Sequence, residues 1–187
     1  MRTVSTCPAC AAADLRAWRR APGSEPADRQ TYLLLRCPEC GTAVTAGEPP
    51  AFEDVHEAGA YAPGAPRGHG AAQPILERFD RRRLTIIERA GPPGKRLLDV
   101  GAGRGRFVAH ARAHGWDARG IEPSAREDAP HVERATLEDA RVPPASVDVI
   151  SLWHVLEHVE DPAAALERLH GWLAPGGVLL VGVPNLA

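Results

Sequence analysis

The sequence predicts an α/β protein: a doubly wound, mostly parallel sheet preceded by a small cysteine-bearing unit. Three observations predict it. The apolar run from Arg96 to Val100 feeds directly into Gly101-Ala102-Gly103-Arg104-Gly105 and then a helical pattern. Further apolar runs, ending near Glu122, Trp153 and Val181, alternate with amphipathic segments, the rhythm of strands joined by helical crossovers. All four cysteines stand at the front of the chain as two C-x-x-C pairs.

The front unit comes first. Cys7-Pro8-Ala9-Cys10 and Cys37-Pro38-Glu39-Cys40-Gly41 are separated by 26 residues, a spacing that suits four thiolates around one structural zinc. Such a closed site keeps no open position for catalysis. Disulfides are disfavoured in an otherwise cysteine-free chain with no secretory signal. Leu33 to Leu35 read as a strand entering the second knuckle, and Arg20 to Arg29 as the loop at the ribbon's tip. This gives a zinc ribbon over residues 1–45, a linker rich in Ala, Gly and Pro over 46–73, and the main domain over 74–187.

In the main domain, Ile75, Leu76, Phe79, Ile86 and Ile87 recur at helical spacing between Pro74 and Ala90. Arg81 to Arg83 fall between them and read as a solvated face. The first strand, near Arg96 to Val100, is apolar enough to be buried on both faces. Glycines at 101, 103 and 105 permit a tight turn and close approach of a ligand to the backbone. A helix follows from Arg106 to His114, with Phe107, Val108 and Ala111 inward and Gly115 as its stop. The second strand ends at Gly120-Ile121-Glu122-Pro123 with a carboxylate suited to a ribose diol. Ser124 to Asp128 allow little more than a turn of helix before a third strand at His131 to Ala135. Asp161-Pro162 is an N-cap followed by proline at the first helical position, and Leu166, Leu169 and Leu173 predict the buried stripe of that helix.

The glycine spacing argues against a dinucleotide. A G-x-G-x-x-G turn sets a pyrophosphate on a helix N-terminus, whereas here the pattern is D-x-G-x-G-x-G, and Asp99 would repel a pyrophosphate. This motif resembles that of class I S-adenosylmethionine-dependent methyltransferases of the type 11/23 kind. The likeness continues through Val147 to Val159, similar to that family's fourth strand and the turn after it, and through Leu173 to Val181, similar to its fifth strand. It covers roughly residues 75 to 187.

The resemblance implies a Rossmann-like fold and binding of S-adenosylmethionine. Asp99, Gly101, Ala102, Gly103, Gly105, Glu122 and Pro123 would hold the cofactor, Leu137 would wall the adenine with Glu138 or Asp139 as acceptor for its amino group, and Trp153 would pack on the methionine portion. Tyr61 is a candidate lid contact. His154 is the candidate catalytic base, since imidazole titrates near neutral pH. The letters His154-x-x-Glu157-His158 match a zinc-peptidase pattern, but that pattern needs a long helix, not a strand end. Related enzymes hold magnesium with E-x-x-E-H at this turn; His154 stands in the first place here.

The acceptor class stays open. A small molecule is favoured; the alternatives are an RNA gripped through Arg16, Arg19, Arg20, Arg29 and Arg36, or a cofactor-binding scaffold without turnover. A net charge of −2 gives no field for nucleic acid or a membrane surface. No apolar run reaches the ~18 residues of a membrane span, so a cytoplasmic protein is expected. The family's sheet has two further strands after the fifth. The sequence stops just after the fifth, so it reads either as a fragment or as a short homologue whose fifth strand is an exposed edge open to homodimer formation.

Overall fold

The computed structural model describes residues 5–23, 30–47, 69–127 and 129–184. The chain divides into two compact units, residues 1–68 and 69–187. Tyr61 and Arg29 lie outside the described residues.

The first unit is an antiparallel meander of β1 (Arg16–Pro22), β2 (Thr31–Arg36) and β3 (Ala43–Ala46), in that order. Leu34 of the central strand β2 is buried, while its neighbours Leu33 and Leu35 are half-buried. Arg20 belongs to β1, where it pairs with Leu33, so the part of the predicted tip loop from Arg20 to Pro22 is strand, and residues 24–29 lie outside the described ones.

The second unit holds α1 (His69–Arg89), β4 (Arg96–Val100), α2 (Arg106–Ala113), β5 (Asp117–Ile121), β6 (Val132–Glu133), β7 (Val147–Trp153), α3 (Pro162–Trp172) and β8 (Leu173–Gly182). Its five strands pair in parallel in the order β6-β5-β4-β7-β8. Strand alternation sorts side chains to two cores. Leu98, Val100, Ile150 and Leu152 pack with Ala165, Leu169 and Trp172 of α3. Leu97 and Val149 pack with Leu84 and Ile87 of α1 and with Phe107, Val108 and Ala111 of α2. Helices therefore cover both sheet faces, the doubly wound arrangement. The lower end of the β4–β7 seam is tied by Arg96, whose guanidinium donates to both oxygens of buried Asp148 at 2.7 and 2.9 Å.

Several details depart from the sequence reading. The stripe of α3 is Ala165, Leu169 and Trp172; Leu166 is 38 % exposed and Leu173 opens β8. In α1 the inward residues are Asp80, Leu84 and Ile87, whereas Ile75, Phe79 and Ile86 face solvent. Arg83 is not a solvated residue, because its guanidinium lies over the Trp153 and Phe107 rings. The third strand shrinks to two residues, because His131 takes a left-handed φ of 63° and Arg134 Nε turns to the Pro123 carbonyl at 3.3 Å. Asp161 caps α3 as expected, accepting from the Ala164 N–H at 3.0 Å.

Candidate functional site

In an open parallel sheet a ligand site forms at the carboxyl ends of the strands where the winding reverses. Here that point is the top of β4, between β5 and β7. The chain leaves β4 through Gly101, whose φ of 73° disfavours any side chain. A Cβ on Gly101 would also overlap the Val155 side chain, which packs against the turn from the top of β7. Gly101 and Ala102 both donate their N–H groups to the Ile121 carbonyl, at 2.9 and 3.1 Å, which binds the turn to the end of β5. Gly103 also has a positive φ of 55°, but the space its Cβ would occupy is open. Gly105 N-caps α2.

Glu122, one residue past β5, reaches back to this turn. Its Oε2 accepts from the Gly103 N–H at 3.0 Å, and its Oε1 from the Ser124 hydroxyl at 2.7 Å and the Ser124 N–H at 3.1 Å. Pro123 follows in an exposed turn. A carboxylate beside a backbone with no Cβ in the way suits the diol and sugar edge of an adenosyl group, so these residues fit that cofactor.

Asp99 lies beneath the turn, only 3 % exposed. Parallel register sets it opposite Ser151 of β7, and the serine hydroxyl donates to Oδ1 at 2.6 Å. Burial pushes the Asp99 carboxyl up to about 6, while the Ser151 hydrogen bond and the Arg83 charge pull the other way. Arg83 itself is shifted downward by its own burial. Asp80, further down α1, is paired with Arg106 at 2.5 Å and is 2 % exposed. The sequence does not single out Asp80 or Ser151, and it reads Arg83 only as part of a solvated face. Ser151 is legible only once β4 and β7 are placed in register, and Arg83 only once the inward face of α1 is known.

The top of β7 carries the remaining candidates. The Trp153 ring takes Arg83 over its face, 4.4 Å from the centroid, so a cation already occupies one side. His154 has a left-handed φ of 55°, and its N–H donates to the Gly182 carbonyl at 2.8 Å. Its Nδ1 lies 3.1 Å from Glu157 Oε1. Leu137 is buried in the core with Ile121 and Ile150. Glu138 is fixed through its main chain, the carbonyl accepting from Arg168 at 3.1 Å. The turn, Glu122 and the β7 end thus converge; Leu137 belongs to the apolar core, and Glu138 is on an exposed loop.

In the first unit, the Sγ atoms of Cys7, Cys10, Cys37 and Cys40 all lie within 4.8 Å of one another. The Cys7–Cys40 and Cys10–Cys37 separations are both 3.6 Å, far beyond the ~2 Å of a disulfide. They are close to the ~3.8 Å edge of a tetrahedron with zinc–sulfur bonds of about 2.3 Å. The two knuckles repeat one another: the N–H groups of Ala11 and Gly41 donate to the Cys7 and Cys37 carbonyls at 2.8 and 3.0 Å, and both residues have positive φ. Thr42, through its hydroxyl and backbone, lowers the Cys40 thiol to about 6, while Cys10 beside it is raised to about 12, its backbone contact with Ala12 outweighed by hydrogen bonds among the thiols and by burial.

Comparison with known proteins decides the family. A family model described as a methyltransferase domain matches residues 73–187. The chain belongs to the methyltransferase-domain family. Among curated relatives, the ubiquinone biosynthesis O-methyltransferase of Xylella fastidiosa strain M23 is 34 % identical over 137 residues, 63 % of this chain and 53 % of the relative. The protein of the same name from Psychrobacter cryohalolentis is 32 % identical over 110 residues, 51 % of this chain and 43 % of that protein. The chain spans about half the length of the curated relatives it matches. A solved S-adenosylmethionine dependent methyltransferase from Mesorhizobium loti is 27 % identical and superimposes with a TM-score of 0.44 over 52 % of this chain and 51 % of that one. That score adds no weight to the assignment, which stands on the family match and the sheet order. Among the described residues, no helix is long and apolar enough to cross a membrane.

Proposed function

We propose that this methyltransferase binds S-adenosylmethionine over the β4–β5 strand ends and directs its methyl group to a hydroxyl of a small molecule. The observation that carries the reading is the pairing of the Gly101–Gly105 turn with Glu122 across those strand ends. The names of its curated relatives support an oxygen acceptor.

Each residue then has a task. Glu122, already oriented by Gly103 and Ser124, accepts from ribose hydroxyls. Gly101, Ala102, Gly103 and Gly105 give the ligand close access to backbone, and Pro123 shapes the rim. Asp99 supplies negative charge from beneath the turn, countered by Arg83. Trp153 bounds the methionine side, an aromatic ring being favourable to positive charge, as Arg83 over it already illustrates. Leu137 and Glu138 are our candidates for the adenine's apolar support and amino-group acceptor. When bound, the sulfonium supplies an electrophilic methyl group, and the protein's work is positioning and proton removal. His154 takes the acceptor's proton. In the first unit, Cys7, Cys10, Cys37 and Cys40 hold a structural zinc.

Titration calorimetry of the full chain with S-adenosylmethionine tests the reading. Binding in the micromolar range is expected, weakened at least tenfold by Glu122→Gln and abolished by Gly101→Arg. Absence of binding to folded protein, or equal binding by both variants, overturns it.

A further inference from the structure

A base that removes a hydroxyl proton must present a bare nitrogen, and one contact at the top of β7 fixes which nitrogen that is. His154 leaves the strand in the left-handed region although it carries a side chain, a conformation that persists only where the surroundings hold it. They do so from two sides. The His154 N–H donates to the Gly182 carbonyl of β8 at 2.8 Å, and Gly182 lies so close to the Trp153 ring that a Cβ there would come within 2.6 Å of it. The next residue, Val155, fills the space over Gly101. The backbone of His154 is therefore clamped between β8 and the glycine turn.

That clamp directs the imidazole at Glu157. The carboxylate stands in the short turn Leu156–His158, which is closed by the His158 N–H donating to the Val155 carbonyl at 2.9 Å. Nδ1 of His154 lies 3.1 Å from Glu157 Oε1, with the two side chains 62 % and 24 % exposed. An ionised carboxylate can only accept, so Nδ1 must carry the hydrogen. In the neutral ring Nε2 then holds the lone pair, and it has no hydrogen-bond partner among the described residues.

We propose that Glu157 is a positioning residue: it holds His154 as the Nδ1–H tautomer and so leaves Nε2 to take the proton of an acceptor hydroxyl. The proposal rests on the methyl-transfer reading above. In the step, the acceptor's O–H bond breaks with its proton passing to Nε2, while its oxygen forms the new bond to carbon. The sulfur–methyl bond breaks in the same displacement, its electron pair remaining on sulfur as a neutral thioether. The imidazolium afterwards returns the Nε2 proton to water. Glu157 donates no electrons and moves no proton of its own.

Long-range proton–nitrogen NMR of the full zinc-loaded chain at pH 8 tests this, the His154 signals being those lost in His154→Gln. The wild type is expected to show a protonated Nδ1 and a bare Nε2. Glu157→Ala should shift the population toward Nε2–H. Glu157→Gln, whose amide oxygen can still accept, should restore the wild-type pattern. Calorimetric affinity for S-adenosylmethionine should stay within twofold in both Glu157 variants. A wild type already in the Nε2–H form, or a pattern unchanged in Glu157→Ala, overturns the proposal. Failure of the wild type to bind S-adenosylmethionine would overturn the methyl-transfer reading instead, and with it the purpose assigned to the tautomer.

Discussion

Replacing Asp99 with asparagine should stabilise the domain at neutral and alkaline pH, and the size of the gain can be worked from its burial. The carboxyl moves from an ordinary 3.8 to about 6 on folding, which at 1.36 kcal/mol per decade amounts to about 3 kcal/mol. The sign follows from proton uptake. Between pH 4 and 6 the folded state holds more protons at this site than the unfolded state, so stability falls as pH rises through that window. Below it both states are protonated and the cost vanishes. Asparagine has nearly the same shape and can still accept from the Ser151 hydroxyl, but it carries no charge to desolvate. The difference in unfolding free energy, Asp99→Asn minus wild type, should therefore grow by about 2–3 kcal/mol from pH 4 to pH 8. Urea denaturation followed by tryptophan fluorescence reads this directly, since Trp116, Trp153 and Trp172 all lie in the second unit. Groups common to both proteins cancel in the difference. Parallel pH profiles would refute the reasoning, because they would mean that Asp99 titrates alike in both states and that its burial costs nothing. The same variant should bind S-adenosylmethionine more weakly, which would explain why the costly carboxylate is kept.

Three further outcomes are expected. Leu169→Ala should lose about 2–5 kcal/mol in urea unfolding, the range for a fully buried leucine, whereas Leu166→Ala on the exposed side of α3 should change it by less than about 0.5 kcal/mol. Gly101→Ala, which meets Val155, should abolish cofactor binding in calorimetry; Gly103→Ala, with open space around its Cβ, should retain it with the modest penalty of a left-handed alanine. Cys37→Ser should reduce the metal content of purified protein from about one zinc per chain to near none, because a tetrahedral site of this kind needs all four thiolates.

The strands were legible because a parallel sheet covered on both faces demands continuous apolar runs, and Leu97-Leu98 and Val149-Ile150 supply residues to both cores at once. The turn at Gly101 to Gly105 was legible because left-handed backbone and close packing leave little alternative to glycine at its first position. The inward face of α1 was not. Its sequence holds two apolar stripes of similar strength, and the one that packs brings Asp80 and Arg83 with it, because Arg106 and Asp99 wait on that side to neutralise them. Charge complementarity across elements outweighed apolar content, and no single segment displays it. The stripe of α3 differs in phase from the leucine spacing: Ala165, Leu169 and Trp172 face the core and Leu166 faces outward, while Leu173 packs against the same core from the start of β8. Glu157 was visible as a letter beside His154, but only the left-handed turn brings the two side chains together.

The seam between β4 and β7 also bears on how the domain is made. Its two clasps, Arg96 with Asp148 and Asp99 with Ser151, each join residues 52 positions apart. As the chain emerges from a ribosome, the first strand and its glycine turn must wait through β5 and β6 before either clasp can close. Contacts of such separation slow folding, since chain entropy is lost before they form. Until β7 docks, Asp99 has no serine and Asp148 no arginine, so a nascent domain cannot assemble its cofactor edge piecemeal. The carboxylate beneath the glycine turn becomes a late checkpoint of folding as well as a feature of the finished site.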